Sequence, residues 1–383
     1  MSMPADRAYI AASEIGRINA FFPILPHLGN RWAASRPWEG RTIALNLHLT
    51  TLTAGLVREL TLGGGKWVIA AASEGTTHPN AVELLRTQGI DVYTGADGRD
   101  RYAQAMSHSP DLLVDVSFDL IERAVQTGAG AIHGSVIVSR SAVSRLHKHG
   151  PLPFPVVDIT SGRLKDAVES RHGVGEAIWL ALQSLTGMHL SGRRVAVVGY
   201  GPVGKGLAAY ARAAGMNVEV VERDPVTRLL AHYDGFPTPN LTDAISRVGV
   251  LVTATGTAQS VTVEHMAAAR DGLVLLNAGR GGDELDIKGL RDASAKVEHI
   301  SEQVIRYRIH GGPRLTILGN GHPLNIVINS GSPEPVLLQF ALLGLALDWT
   351  ANTDLEPGLV PVTAALEEQV ASVALNALDQ AGG

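Results

Sequence analysis

The sequence predicts an α/β protein of layered domains, one inserted in the other, and three observations carry that prediction. Short β-branched runs alternate with longer helical patterns along most of the chain, the signature of helices packed on a mostly parallel sheet. Near the middle, a strand-like run breaks into a glycine-rich turn and restarts as a helix, as though a second α/β unit began there. The chain has 383 residues, enough for two or three domains with well-buried cores.

In the first half, strands are predicted at RTIALNLHL, KWVIAAA, IDVYTG, LLVDVS, AIHGSV and PVVDIT. Helices such as TAGLVRELTLG and NAVELLRTQG lie between them and end at glycine, as helix C-termini often do. The stretch KDAVESRHGVGEAIWLALQSL, from Lys165 to Leu185, reads as one long helix with an apolar stripe. After LSGRRVAVVGYG come strands at NVEVVE, VGVLVTATG, GLVLLNAG and RLTILGNG. A helical hairpin, from Pro335 to Asp348 and from Pro361 to Ala377, closes the chain. The expected architecture is two Rossmann-like three-layer domains, with residues 188–330 inserted in a domain made of 1–187 and 331–383.

Composition narrows the function classes. Hydrophobic residues make up 45% and charged residues 18% of the chain, an ordinary globular balance. A net charge of -5 argues against nucleic acid or an anionic membrane as the main partner. The absence of cysteine excludes disulfides, thiolate metal sites and a cysteine nucleophile, and it fits a reducing compartment. The N-terminal stretch lacks the continuous apolar core of a signal peptide. PVLLQFALLGLALDW is shorter than a membrane span and carries Gln339, so a cytoplasmic location is expected. His147 and His149 form an HxH pair without a third ligand, and no metal site is assigned.

Gly199-Tyr200-Gly201-Pro202-Val203-Gly204 has GxGxxG spacing directly after VAVV and before a helical run. The first glycine permits a tight turn, the second lets backbone approach a pyrophosphate, and the third lets helix and strand pack closely. The helix N-terminus adds free N–H groups and positive dipole character for the phosphates. The next strand ends at Glu222, where a carboxylate can accept from both ribose hydroxyls and repels a 2′-phosphate. NAD is therefore the expected cofactor, although Arg223 beside it keeps NADP open.

GYGPVGKG, followed by ERDP, TATGT, LNAGRGGDELDIKGL and GNGHPLN, resembles the S-adenosyl-homocysteine hydrolase family over about residues 40 to 375. In that family NAD stays bound as an internal tool. Oxidation of the ribose 3′-hydroxyl acidifies the neighbouring C4′–H, a base removes that proton, and the 5′-thiol leaves. Water then adds and the stored hydride returns, so there is no net redox change. The resemblance places NAD contacts at Gly199, Gly201, Pro202, Val203, Gly204, Glu222, Arg223, Thr227, Thr255, Gly256, Thr257, Ala278, Gly279, Arg280 and Asn325. It also implies a homo-oligomer and a small, nucleoside-like substrate.

The same resemblance puts His48 on the family's acid/base histidine, and Lys165, Glu169 and Ser170 on its lysine, aspartate and asparagine. Thr50, Ser135 and Ser332 fall at substrate-facing positions. On the residues alone, His48 is equally a strand-end histidine with a structural hydrogen bond. On spacing alone Lys165 and Glu169, four apart, read first as an exposed helical ion pair of about 0.3–0.5 kcal/mol, and only the resemblance reverses that. The departures matter as well. Gly134 and Ser135 stand where the family has a glutamate pair, and Val116, next to Asp115, stands where it has a catalytic aspartate. Leu52 replaces the glutamate that reads the adenine edge, Arg280 a histidine after the NIG turn, and Ser332 the histidine of a GHP segment. The family's C-terminal lysine- and tyrosine-bearing tail has no counterpart after NALDQAGG.

The sequence thus predicts an NAD-dependent enzyme that oxidises a nucleoside- or sugar-like substrate transiently, other than plain S-adenosyl-homocysteine. A net dehydrogenase or a non-catalytic NAD-binding regulator on the same scaffold are the alternatives. Arg280, Arg306 and Arg308 suit an anionic substrate or, equally, structural pairs with carboxylates.

Overall fold

The computed structural model describes residues 3–128, 132–279 and 283–381. Its strands are β1 (Thr42–Leu47), β2 (Lys66–Ala71), β3 (Asp91–Tyr93), β4 (Leu112–Asp115), β5 (Gly134–Ile137), β6 (Pro155–Asp158), β7 (Arg194–Val198), β8 (Asn217–Val221), β9 (Val250–Thr253), β10 (Leu273–Asn277), β11 (Ser294–Ser301), β12 (Val304–Ile309), β13 (Arg314–Leu318) and β14 (Gly358–Pro361). They form two seven-stranded sheets, in two compact units. One unit comprises residues 1–165 and 333–383, the other residues 166–332.

In the first unit the strand order is β14-β6-β5-β4-β1-β2-β3, and every pairing is parallel. Strand order reverses at β1, so the crevice between the C-terminal ends of β1 and β4 is the place where such sheets hold ligands. Ile43, Leu45, Leu47, Ile69 and Val114 face one apolar core, and Ala44, Val68, Leu113 and Ile137 face the other. This alternation over fully buried strands is what a sheet covered on both faces requires. Helices Pro4–Phe21 and Ile24–Ser35, which the sequence pattern did not single out, bring Ala11, Ile15, Leu28 and Trp32 onto the first of these cores. There Trp32 and Trp67 each lie 5.4 Å from the ring of Trp38.

In the second unit the order is β11-β12-β13-β10-β9-β7-β8. Strands β8, β7, β9, β10 and β13 run parallel, while β12 is antiparallel to both β11 and β13. The switch point lies between β7 and β9, whose C-terminal ends carry the glycine loop and Ala254.

The helix expected over 165–185 is not uniform. Lys165–Val174 forms π-type turns and Gly175–Thr186 is α-helical, capped by Gly187 at φ 66°. Helix Gly175–Thr186 packs on helix Pro202–Ala213 of the second unit, although the sequence pattern had assigned it to the first. A Cβ on Gly206 would lie 2.0 Å from the carbonyl oxygen of Arg171, so the π-type backbone passes this helix at direct contact. π-turns are rare and are frequent at functional sites.

Candidate functional site

At the C-terminal edge of the second sheet lies a cleft of about 680 Å³, lined by Gly199, Gly201, Glu222, Arg223, Thr227, Thr255 and Thr257 among others. Gly199 leaves β7 at φ 96°, and a Cβ there would meet the Ala254 carbonyl oxygen at 2.6 Å. Gly204 sits so close to the turn that its Cβ would fall 2.0 Å from the Gly199 carbonyl oxygen. Gly201 differs: a Cβ there would meet nothing within 4 Å. Gly201 is the N-cap of helix Pro202–Ala213 and makes no side-chain cap, so the first turn keeps N–H groups for an anion.

Glu222 is already oriented. Its Oε2 accepts from the Tyr200 N–H at 2.8 Å and its Oε1 from the Asp224 N–H at 2.9 Å. A carboxylate has about four acceptor positions, which leaves capacity for a diol. Thr227 donates its N–H to Asp224 Oδ1 at 2.7 Å, and that bond holds the Asp224 carboxyl below its ordinary value.

Two residues missed in the sequence build the opposite wall. Glu284 is fully buried and accepts from Thr255 N–H (2.9 Å), Thr255 Oγ1 (2.8 Å) and Gly256 N–H (2.8 Å). Burial pushes its carboxyl upward while these donors oppose the rise. A Cβ on Gly279 would lie 1.7 Å from Glu284 Oε1, so a side chain there would push the carboxylate off these donors. Asn277 accepts from Gly279 N–H at 2.6 Å and donates to the Gly321 carbonyl at 2.9 Å, tying the loop after β10 to the turn after β13. The Ala278 N–H donates to the Thr253 carbonyl. Asn325 Oδ1 is buried with no hydrogen-bond partner among the described residues. These donors, the uncapped helix start and the open side of Gly201 fit a dinucleotide. Arg280 lies outside the described residues.

Arg306 and Arg308 do not approach this cleft. Arg308 faces Arg314, the first residue of β13, at the N-terminal edge of the sheet. Arg306 reaches Glu298 at 3.7 Å. Arg306 and Arg308 instead line, with Lys296, Glu298 and Arg314, a separate pocket of about 290 Å³.

The crevice of the first sheet holds a second polar group. His48 follows β1, and its Nδ1 lies 2.7 Å from Thr76 Oγ1. Thr50 caps helix Thr51–Thr61 by accepting from the Thr53 N–H at 3.3 Å. Leu52 packs against the apolar core and offers no acceptor to a base edge. Asp115 is fully buried: Oδ1 accepts from Asn46 Nδ2, Ser117 N–H and Phe118 N–H, and Oδ2 from Ile121 N–H. Asp119 pairs with Arg145 at 2.7 Å and accepts from Tyr102 OH at 2.9 Å. Both carboxylates near Val116 are therefore committed to organising the loop after β4. Ser135 is fully buried in β5 level with Leu113, below the sheet edge. Its Oγ has no partner among the described residues. Ser332 donates its hydroxyl to Glu176 at 2.6 Å.

Lys165 is 7% exposed, as is Ser170, which donates to Glu169 Oε2 at 3.0 Å. A solvated surface ion pair is excluded for a lysine so enclosed. Lys165 and Glu169 both lie on these π-type turns, Lys165 as their first residue. Glu367, buried on the C-terminal helix, accepts from the Leu164 N–H at 2.8 Å and so fixes the backbone just before Lys165. Nothing in the sequence flagged it.

Asp115 yields a stability prediction. Burial raises its pKa above the ordinary 3.8, so the folded state holds the proton more tightly than the unfolded chain. Stability from this group is fully present below that value and is lost as pH rises through the raised folded one. Asp115→Asn removes this dependence, but it turns an NH₂ toward a backbone N–H. Urea unfolding at neutral pH should show a loss of about 1–3 kcal/mol, with a flatter pH dependence in the acid range.

Fold and cleft together define a dinucleotide-binding α/β protein with two doubly wound units. Residues 170–331 match the model of the S-adenosyl-L-homocysteine hydrolase NAD-binding domain. The chain is 32% identical over 372 residues to S-inosyl-L-homocysteine hydrolase of Methanopyrus kandleri, covering 93% of this chain and 88% of that one. It is 31% identical over 372 residues to adenosylhomocysteinase of Saccharolobus solfataricus, covering 93% and 89%. With adenosylhomocysteinase of Pyrococcus abyssi it shares 29% identity over 380 residues, covering 95% and 90%. The chain belongs to the S-adenosyl-L-homocysteine hydrolase family, and NAD is its cofactor. Among the described residues, no helix is long and apolar enough to cross a membrane.

Proposed function

We propose that this chain is an NAD-dependent hydrolase or lyase that oxidises a nucleoside-like substrate transiently and cleaves or adds at a neighbouring carbon. NAD, when bound, supplies a hydride acceptor that returns what it takes. Lys165 serves as the base for the substrate hydroxyl, Glu169 holds that lysine's side of the site, and His48 moves a proton at the neighbouring carbon. Thr50 and Ser170 hold substrate hydroxyls. The observation that carries this reading is the enclosure of Lys165, 7% exposed on π-type turns. An exposed lysine would have favoured the surface-pair alternative, whereas a lysine removed from bulk water can do proton chemistry.

The base of the substrate is not restricted to adenine. Leu52 stands where a carboxylate would accept from an exocyclic amino group, and a leucine neither rewards that donor nor requires it. S-inosyl-L-homocysteine therefore belongs beside S-adenosyl-L-homocysteine and free nucleosides as a candidate.

The test is to denature the purified protein and quantify NAD and NADH, before and after mixing with each of these ligands. Near-stoichiometric NAD that converts to NADH with one ligand supports the reading and identifies the substrate. Bound NAD that no ligand reduces would instead favour a regulator. NAD that washes out and turns over freely would favour a net dehydrogenase.

A further inference from the structure

Behind His48 stands a pair of hydroxyls with no assigned role. Thr76, 1% exposed at the end of the turn Glu74–Thr76, places Oγ1 2.7 Å from His48 Nδ1 and 2.7 Å from Ser73 Oγ. Backbone bonds lock the two segments together: Leu49 N–H donates to the Thr76 carbonyl at 3.1 Å and His78 N–H to the Leu49 carbonyl at 2.8 Å. The His48 carbonyl is itself held by Thr53 Oγ1 at 2.7 Å. The ring and the hydroxyl thus meet through rigid backbone, not through a mobile side chain.

Counting protons gives the bonds a direction. Thr76 has one hydroxyl proton and three neighbours able to accept it: His48 Nδ1, Ser73 Oγ, and the Ser73 carbonyl at 3.4 Å. That carbonyl already accepts from Thr77 Oγ1 at 2.6 Å, a much better bond. Among the described residues the Ser73 hydroxyl has Thr76 Oγ1 as its hydrogen-bond partner, which directs the Ser73 proton to Thr76 and leaves the Thr76 proton for Nδ1. If Ser73 donates to Thr76 and Thr76 to Nδ1, every proton in the chain is matched. A ring whose Nδ1 accepts carries its proton on Nε2.

We propose that Thr76, oriented by Ser73, is a positioning residue that pins the His48 ring and holds its neutral form as the Nε2–H tautomer. The catalytic half of this inference rests on the reading of His48 under Proposed function. The tautomer half does not. A histidine that must give a proton at one nitrogen and recover it there gains from a partner that keeps the other nitrogen as acceptor.

The experiment is long-range ¹H–¹⁵N correlation of the histidine rings in the full chain, with His48 assigned by the signal lost in His48→Gln. Wild type should show a single Nε2–H pattern. Thr76→Val should shift it toward mixed tautomers, Ser73→Ala should do so partly, and Thr76→Ser should restore it. With the ligand that reduces bound NAD, Thr76→Val should leave single-turnover reduction near wild type and slow overall turnover to product roughly 10–100-fold at unchanged NAD content, and Thr76→Ser should turn over near wild type. An unchanged ring pattern in Thr76→Val overturns the inference; should that variant not fold, an unchanged pattern in Ser73→Ala does so. A changed pattern with unchanged turnover overturns the positioning role. If His48→Gln keeps full activity, the catalytic reading of His48 fails, while the ring spectrum still decides the Thr76 contact.

Discussion

Lys165→Met is expected to keep NAD bound and to slow its reduction by substrate by about 10²–10⁴-fold, the range associated with losing a positioned acid/base group. Lys165 is 7% exposed, so its stem already occupies an enclosed space that an unbranched methionine can fill. The backbone leading into it stays anchored, because the Leu164 N–H bond to Glu367 does not involve the lysine side chain. None of the residues lining the nucleotide cleft is touched. Stopped-flow absorbance of NADH formation in a single turnover, with NAD content measured on the same sample, separates the outcomes. Undiminished reduction would mean that another group takes the hydroxyl proton. Loss of bound NAD would mean that the lysine supports the structure and not the chemistry.

The parts of this molecule that were legible from sequence are those whose cause is local. VAVV followed by GxGxxG declares strand, turn and helix because each glycine meets a nearby backbone: Gly199 meets Ala254 and Gly204 meets Gly199. The alternating β1 and β4 declare themselves because both faces of their sheet are covered. What stayed hidden depends on partners distant in the chain. Glu284 accepts from Thr255 and Gly256, 29 and 28 residues away, and Glu367 accepts from Leu164, 203 residues away. No spacing rule announces either bond. Strand β12, VIRYRI, does carry a period of two, with Ile305, Tyr307 and Ile309 buried. Reading Arg306 and Arg308 for their charge obscured the alternation that puts them on the open face. The π-type turns of Lys165–Val174 are invisible for another reason: a shift in backbone hydrogen bonding leaves the apolar periodicity nearly intact.

Two glycines of the turn, one crowded and one open, separate a folding effect from a ligand effect, and Gly204→Val gives the largest change expected here. Its Cβ would lie 2.0 Å from the Gly199 carbonyl oxygen and 2.8 Å from the carbonyl carbon, far inside the ordinary contact distance of about 3.5 Å. Both atoms are backbone and cannot swing aside, so the turn must part from the helix start. Purified protein should then carry essentially no NAD, an affinity loss on the order of 10³-fold or about 4 kcal/mol. Thermal unfolding should fall as well, because the turn and helix lose their packing in the protein itself. Gly201→Ala poses the complementary question. Its Cβ meets no protein atom within 4 Å and Gly201 lines the cleft, so the fold has no reason to lose stability. NAD retention should nevertheless drop, because the methyl group occupies the side from which the pyrophosphate approaches. Equilibrium dialysis with labelled NAD, alongside thermal melts, reads both quantities for each variant. If Gly201→Ala binds NAD as wild type does, the phosphates do not lie against that turn, and the cleft between β7 and β9 takes its nucleotide in another orientation.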